Sequence, residues 1–341
     1  MTLHSEQSAR VTLSLMQQAT WGTRLVDGSM LYSYPMRSAN PGKRLINFFN
    51  NQDEIGKGHS FPTRLDVETY DYTRRLEFDL DTFTLGWACA FAMGDYAVTG
   101  PTDSAYTHTN LLSLLADDDG QLPFTTIVEE LDSDGGYYPD IVVEGFDISG
   151  TIGQRPVLGI DLVGSGRKVA LGAFAHPTLA SANFLKWTGL TPSWGEAGSE
   201  VSIADRLRSF KFSVKNNLDV TNAYIAGAGG YKGQCLYGLK RDVTLELTFV
   251  RSGVTEITAL EAYTEMGAIL AFEGGNIGAG STPHAATITM PSIQIIDVEP
   301  SFDAKLGLYT PTLVPLYDSD SQGPVSIEVV NDVAAYLTSE A

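Results

Sequence analysis

From Lys240 to Leu316 the chain lays out a strand, a helix and a hairpin in succession, and no other stretch limits the fold so tightly. Val243, Leu245, Leu247 and Phe249 alternate with Thr244, Glu246 and Thr248. Successive side chains leave a strand on opposite sides, so this alternation predicts one apolar and one wet face. ITALEAYTEMG (257–267) follows, with Ile257, Leu260 and Tyr263 at helical spacing and Gly267 as a C-terminal stop. MPSIQIIDVEP (290–300) and KLGLYTPTLVPL (305–316) then read as two strands joined by a turn around Pro300 to Ala304.

The same succession occurs earlier. Leu76, Phe78 and Leu80 alternate with Arg75, Glu77, Asp79 and Asp81, and LGWACAFAMG (85–94) is a short apolar helix closing on Met93-Gly94. GFDIS (145–149) and LGIDL (158–162) form a second hairpin. Leu76 set against Leu245 gives an offset of 169 residues, and Gly94 against Gly267 gives 173, in a chain of 341. Offsets near half the length are what an internal duplication produces. The expected organisation is therefore two tandem units: residues 1–165, with helix 85–94 and hairpin 141–163, and residues 205–341, with helix 257–267 and hairpin 290–316. Residues 166–204, which include the Trp-, Gly- and Ser-rich KWTGLTPSWGEAGSEVS (186–202), are expected to connect them. In both units the alternation predicts Leu76, Phe78, Leu80, Val243, Leu245, Leu247 and Phe249 on the core side, beneath the helix.

With 34 glycines and Thr/Ser/Asp-rich connections, the chain favours many short strands over a helical bundle. The expected class is mainly β, a sandwich or barrel with a flanking helix. The formal charge of −19, from 41 acids against 22 basic residues, excludes nucleic-acid binding through a neutralising basic face. Cys89 and Cys235 read as free thiols of a reducing compartment. MTLHSEQSARV shows no secretory signal, and no apolar run approaches membrane-spanning length, so a soluble protein without membrane anchor, made in the cytoplasm, is expected. SIEVVND (326–332) is predicted as a closing edge strand.

Motifs for chemistry fail on inspection. The glycines at 227, 229, 230 and 233 lack the Gly-Lys-Ser/Thr of a phosphate loop and the surrounding βαβ unit. DSDSQGPVSIEV (318–329) imitates a calcium loop but carries Val329 where the bidentate glutamate belongs. The five histidines are scattered, and no nucleophile elbow is present. No cofactor, metal site or catalytic activity is expected. The wet-face acids Glu77, Asp79, Asp81 and Glu246 draw attention because they sit on the strand before the helix in both units. A ring of such subunits would present a negative inner wall. Two glycine-rich loops precede these strands, GKGHSFPTR (56–64, with Gly56, Gly58 and His59) and GAGGYKG (227–233, with Gly227, Gly229, Gly230 and Tyr231). Both are expected to reach a neighbouring subunit or ring.

These segments resemble the tail tube (major tail) proteins of long, non-contractile-tailed bacteriophages. QATWGT (18–23) is similar to the opening of many such proteins, and TRRLEFDLDTFTLGWACAFAMG (73–94) to their strand-then-helix passage. LPFTTIVEE (122–130) with IVVEGFDIS (141–149), RSFKFSVKNNLD (208–219), KRDVTLELTF (240–249), MPSIQIIDVEP (290–300) and IEVVND (327–332) extend the likeness over most of the chain. The resemblance implies a virion protein whose rings fuse their inner sheets into one barrel, stack into a tube and let DNA pass without specific binding. It also implies six wedges per ring and other tail proteins at the tube ends. Two units per chain would then give homotrimeric, pseudo-sixfold rings, with a hexamer of single enlarged domains as the alternative. Rival readings are another β-rich virion component, such as a tail terminator or decoration protein, and a carbohydrate-binding or carbohydrate-processing protein, for which Trp187 and Trp194 are the best residues.

Overall fold

The computed structural model describes residues 10–34, 43–50, 65–112, 121–130, 135–172, 174–175, 177, 183–234, 236–237, 240–251, 255–303, 306–319 and 323–339. Among these are sixteen strands of five residues or more and two α-helices. The first half holds β1 (Arg10–Ser14), β2 (Met30–Tyr34), β3 (Lys43–Asn50), β4 (Leu65–Asp79), α1 (Thr82–Ala92), β5 (Gly94–Thr102), β6 (Ala105–Leu112), β7 (Thr125–Glu130), β8 (Gly136–Thr151) and β9 (Val157–Gly164). The second holds β10 (Leu190–Glu196), β11 (Leu207–Lys215), β12 (Asp242–Val250), α2 (Thr255–Ala262), β13 (Met266–Asn276), β14 (Pro283–Asp303), β15 (Leu306–Pro315) and β16 (Ser326–Asn331). The chain is mainly β and antiparallel.

One long sheet runs β3–β4–β9–β8 and continues through β11–β12–β15 to the C-terminal half of β14. The order recurs: a strand, its hairpin partner that leads into a helix, then the second and first strands of a later hairpin. Each later hairpin carries a bulge in its first strand, between the pairs Asp161↔Gly145 and Leu162↔Val143, and between Ile295↔Leu313 and Asp297↔Thr312. The two sets of four strands meet where β8 pairs β11, with Ile148 opposite Phe212 and Phe146 opposite Val214. A second sheet runs β5–β6–β16, through the N-terminal half of β14, to β13 and β10. β1 pairs both β2 and β7, and β7 pairs the N-terminal half of β8.

Alternation decides which side of the long sheet meets the core. Leu76, Phe78, Leu80, Val243, Leu245, Leu247 and Phe249 are all at most 8% exposed, alongside Phe146, Ile148, Ile160, Phe212 and Leu313. Position 74, on the same side of β4, is occupied by an arginine that forms a buried ion pair with Glu129 of β7. Helix α1 is buried on every side and touches β8 of the long sheet together with β5, β6, β14 and β16 of the second. A helix apolar all round belongs inside, so α1 is an internal layer rather than a flanking one. Gly86 allows this, because a Cβ there would lie 2.6 Å from the Tyr336 hydroxyl.

The structure differs from the sequence expectation in three places. Helix α2 ends at Ala262, not at Gly267: the chain turns at Tyr263, which has φ 53°, and Met266-Gly267 opens β13. Gly94, by contrast, directly follows the C-cap Met93 at φ 93°, as a helix-ending glycine should. Residues 326–331 form an interior strand between β14 and β6, because residues 105–112 supply a partner that local alternation cannot reveal. Residues 190–196, expected in the connection, pair with β13.

Candidate functional site

Turned away from the core, the long sheet presents a polar face built from the other residues of each alternation. Across it lie Arg75, Glu77 and Asp79 of β4, Asp161 of β9, Asp147 of β8, Lys211 and Lys215 of β11, and Asp242, Thr244 and Glu246 of β12. Six acids against three bases leave this face acidic but mixed. Alternation before a helix singles out β4 and β12, and the strands between them supply two of the bases and two of the acids. The signal was present, since Asp147 lies between buried Phe146 and Ile148, and Lys211 and Lys215 alternate with Phe212 and Val214.

Arg75 is the centre of the face. Its guanidinium donates to Asp147 Oδ1 at 2.6 Å, to Asp161 at 3.0 Å and to Glu77 at 3.2 Å, tying β4, β9 and β8 together. Gly159 of β9 makes the crossing possible: a Cβ there would stand 2.2 Å from Arg75 Nη2. Partial burial works against the charge of Arg75, but Asp147 and Asp161 outweigh it and hold the group cationic. Asp79 pairs with Arg155 at 3.1 Å. Glu246 is exposed and stands opposite Lys211 on one side and Thr312 on the other.

Asp81 does not belong to this face. It is 2% exposed and caps α1, accepting from the amides of Phe83 and Thr84 at 2.9 Å and from the Thr84 hydroxyl at 2.6 Å. Its parity in the sequence matched the wet face, but β4 ends at Asp79 and the chain turns into the helix. Burial pushes its carboxyl above the usual range, opposed by the capping hydrogen bonds.

The second glycine-rich loop is partly docked within its own chain. Gly227 and Gly229 are exposed, and a Cβ at either would meet nothing within 4 Å. The following residues lie against β4. Tyr70 donates its amide to Gly230 O at 2.8 Å, and the Tyr231 ring stacks on Tyr70 at 4.6 Å beneath Arg167. Lys232, 1% exposed, pairs with Asp71 and donates to Gly164 O at 3.2 Å, while Trp21 of the QATWGT segment donates to Lys232 O at 2.7 Å. This strap joins the second set of strands to the first. Gly56, Gly58 and His59 of the other loop lie outside the described residues.

Other candidates resolve into packing. Trp194 is 2% exposed and so offers no open platform for a sugar ring, and half-buried Trp187 stacks on Phe210 at 6.0 Å. His108 is buried between Tyr96 and Asn331, and burial lowers its pKa. Cys89 is buried inside α1. Among the described residues no group of three or more His, Cys, Asp or Glu is placed to hold a metal ion, and no helix is long and apolar enough to cross a membrane.

No curated protein matches the chain. A family model described as phage tail tube protein matches residues 8–304, a span that takes in α1, α2, the β8–β9 hairpin and all of β14. On that match, the chain belongs to the phage tail tube protein family, a family of structural proteins of the bacteriophage tail.

Proposed function

We propose that the chain polymerises as stacked rings into a tail tube, with the polar face of the long sheet lining the channel through which DNA leaves. The observation that carries this reading is the recurrence of strand order in the long sheet, with the two sets joined by β8–β11 pairing inside one chain. Each set is one wedge of the wall, and the chain is a tandem duplication. Among the described residues, β3 and the C-terminal half of β14 have a strand on one side only. Open edges are a liability in a monomer and a joint in a ring, where closure removes them. Exposed Ile296 and Phe302 on the free half of β14, and Ile46 and Phe48 on β3, support such a joint.

With the six wedges per ring that the tail tube resemblance implies, two wedges per chain make three chains per ring, whose head-to-tail contacts close when their rotations complete a turn. The channel wall has excess negative charge, and its central arginine is already neutralised by carboxylates. DNA phosphates therefore meet a wall that repels them on balance, with Lys211 and Lys215 as its exposed cations set among six acids. Further tail proteins cap the tube, and the chain is made in the host cytoplasm before assembly. Electron microscopy of the purified protein tests the reading: long hollow tubes are expected, while isolated closed rings would favour a terminator and persistent monomers would oppose assembly altogether.

A further inference from the structure

Lys232 of the strap is the only buried lysine among the described residues, at 1% exposure. Its backbone is fixed on both sides: the amide donates to Ser165 O at 3.3 Å, and the carbonyl accepts from Trp21 Nε1 at 2.7 Å. Its Nζ pairs with the carboxylate of Asp71 on β4 and donates to Gly164 O at 3.2 Å, with the Tyr224 ring 5.9 Å away. Asp71 is held as well, because its Oδ1 accepts from the Tyr72 amide at 2.7 Å. A third group stands nearby. Glu144 of β8 lies within electrostatic reach of both Lys232 and Asp71. Burial, with Asp161 behind it, holds the Glu144 carboxyl above the usual range against the pull of Lys215 and Lys232.

An amine, a carboxyl carbon in contact with it and a second carboxyl to move protons are the groups that condensation to an amide requires. We propose that Lys232 Nζ and Asp71 Cγ join as an amide, a covalent crosslink within one chain, with Glu144 relaying the protons. The inference stands on these three residues and does not depend on the tube reading. Away from water a separated charge pair is disfavoured, so the ammonium proton passes to Asp71 and leaves a neutral amine beside a neutral acid. The Nζ lone pair attacks Cγ and forms the C–N bond. Glu144 gives its proton to the departing hydroxyl and takes one from the nitrogen, the C–O bond breaks and one water leaves. No oxidant or cofactor is consumed. The fold supplies the rate, because it holds nucleophile and carbon together. The bond spans 161 residues of sequence and fixes the strap to the first set of strands.

Mass spectrometry of the denatured full-length chain tests this. Wild type taken from its folded state should be lighter than its sequence by one water, and digestion should yield a branched peptide joining the segments around Asp71 and Lys232. Lys232→Arg keeps the positive charge but loses the amine, and should show the full sequence mass. Asp71→Asn should form the same bond with loss of ammonia in place of water. In chain isolated unfolded and then refolded, Glu144→Gln should slow bond formation about a hundredfold relative to wild type. The full sequence mass in folded wild type would overturn the crosslink and leave a buried ion pair. Water loss without the branched peptide, as at an Asp-Gly step such as Asp27-Gly28, would overturn it too, as would continued water loss from Asp71→Asn. An unchanged rate in Glu144→Gln would overturn the part assigned to Glu144.

Discussion

Single residues carry two separable jobs here, holding the fold and setting the charge of the polar face. Asp81 belongs wholly to the first. Replacing it with alanine removes the cap of α1 and should cost about 1 kcal/mol, read from denaturant unfolding, whereas Asp81→Asn keeps an oxygen acceptor and should cost less. Its acid dependence has a definite sign. The folded pKa lies above 3.8, chiefly through burial, so in the window above 3.8 the folded state holds a proton that the unfolded state has lost. The contribution of Asp81 to stability therefore falls as pH rises through that window, and Asp81→Asn should remove this slope. Glu77 and Glu246 belong to the second job. Changing both to lysine should cost no more than about 1 kcal/mol, since Glu246 is exposed and the Glu77–Arg75 pair lies at the surface, yet slow DNA ejection from assembled particles. Ejection at the normal rate would show that these carboxylates do not face the DNA. Gly159→Ala should dislodge Arg75 from Asp147, visible as loss of that contact in a structure of the variant.

At the scale of elements, alternation made the long strands and their buried sides legible, and the wholly apolar run 85–92 marked α1. Partner choice was not legible, because hydrogen bonds between strands distant in sequence leave no local pattern. β16 therefore read as an edge although it lies between β14 and β6. Asp81 read as a wall residue because parity continues past a strand end that only the cap reveals. The strap was visible as a glycine cluster, but nothing local pairs Lys232 with Asp71, 161 residues away. Its role gives a direct expectation. Tyr231→Ala removes the ring stacked on Tyr70 without stripping a partner from a buried charge. Hydrogen exchange at the Tyr70 amide, which donates to Gly230 O, should then accelerate while amides of β12 stay protected. Equal protection in wild type and variant would mean the strap is held by Lys232 alone.

At the scale of the whole molecule, the strand order ties together the fold, the open edges and the polar face. On the proposed two-wedge reading, the β8–β11 pairing with its strap is a copy, within one chain, of the contact on which assembly depends. Contacts between chains should repeat it. The most direct measurement is a three-dimensional reconstruction of the assembled tube by electron microscopy. The account predicts three chains per ring with pseudo-sixfold wedges, Arg75, Glu77 and Glu246 on the channel wall, and β14 of each chain beside β3 of the next. A true sixfold axis relating whole chains, or the polar face on the outside of the tube, would contradict it.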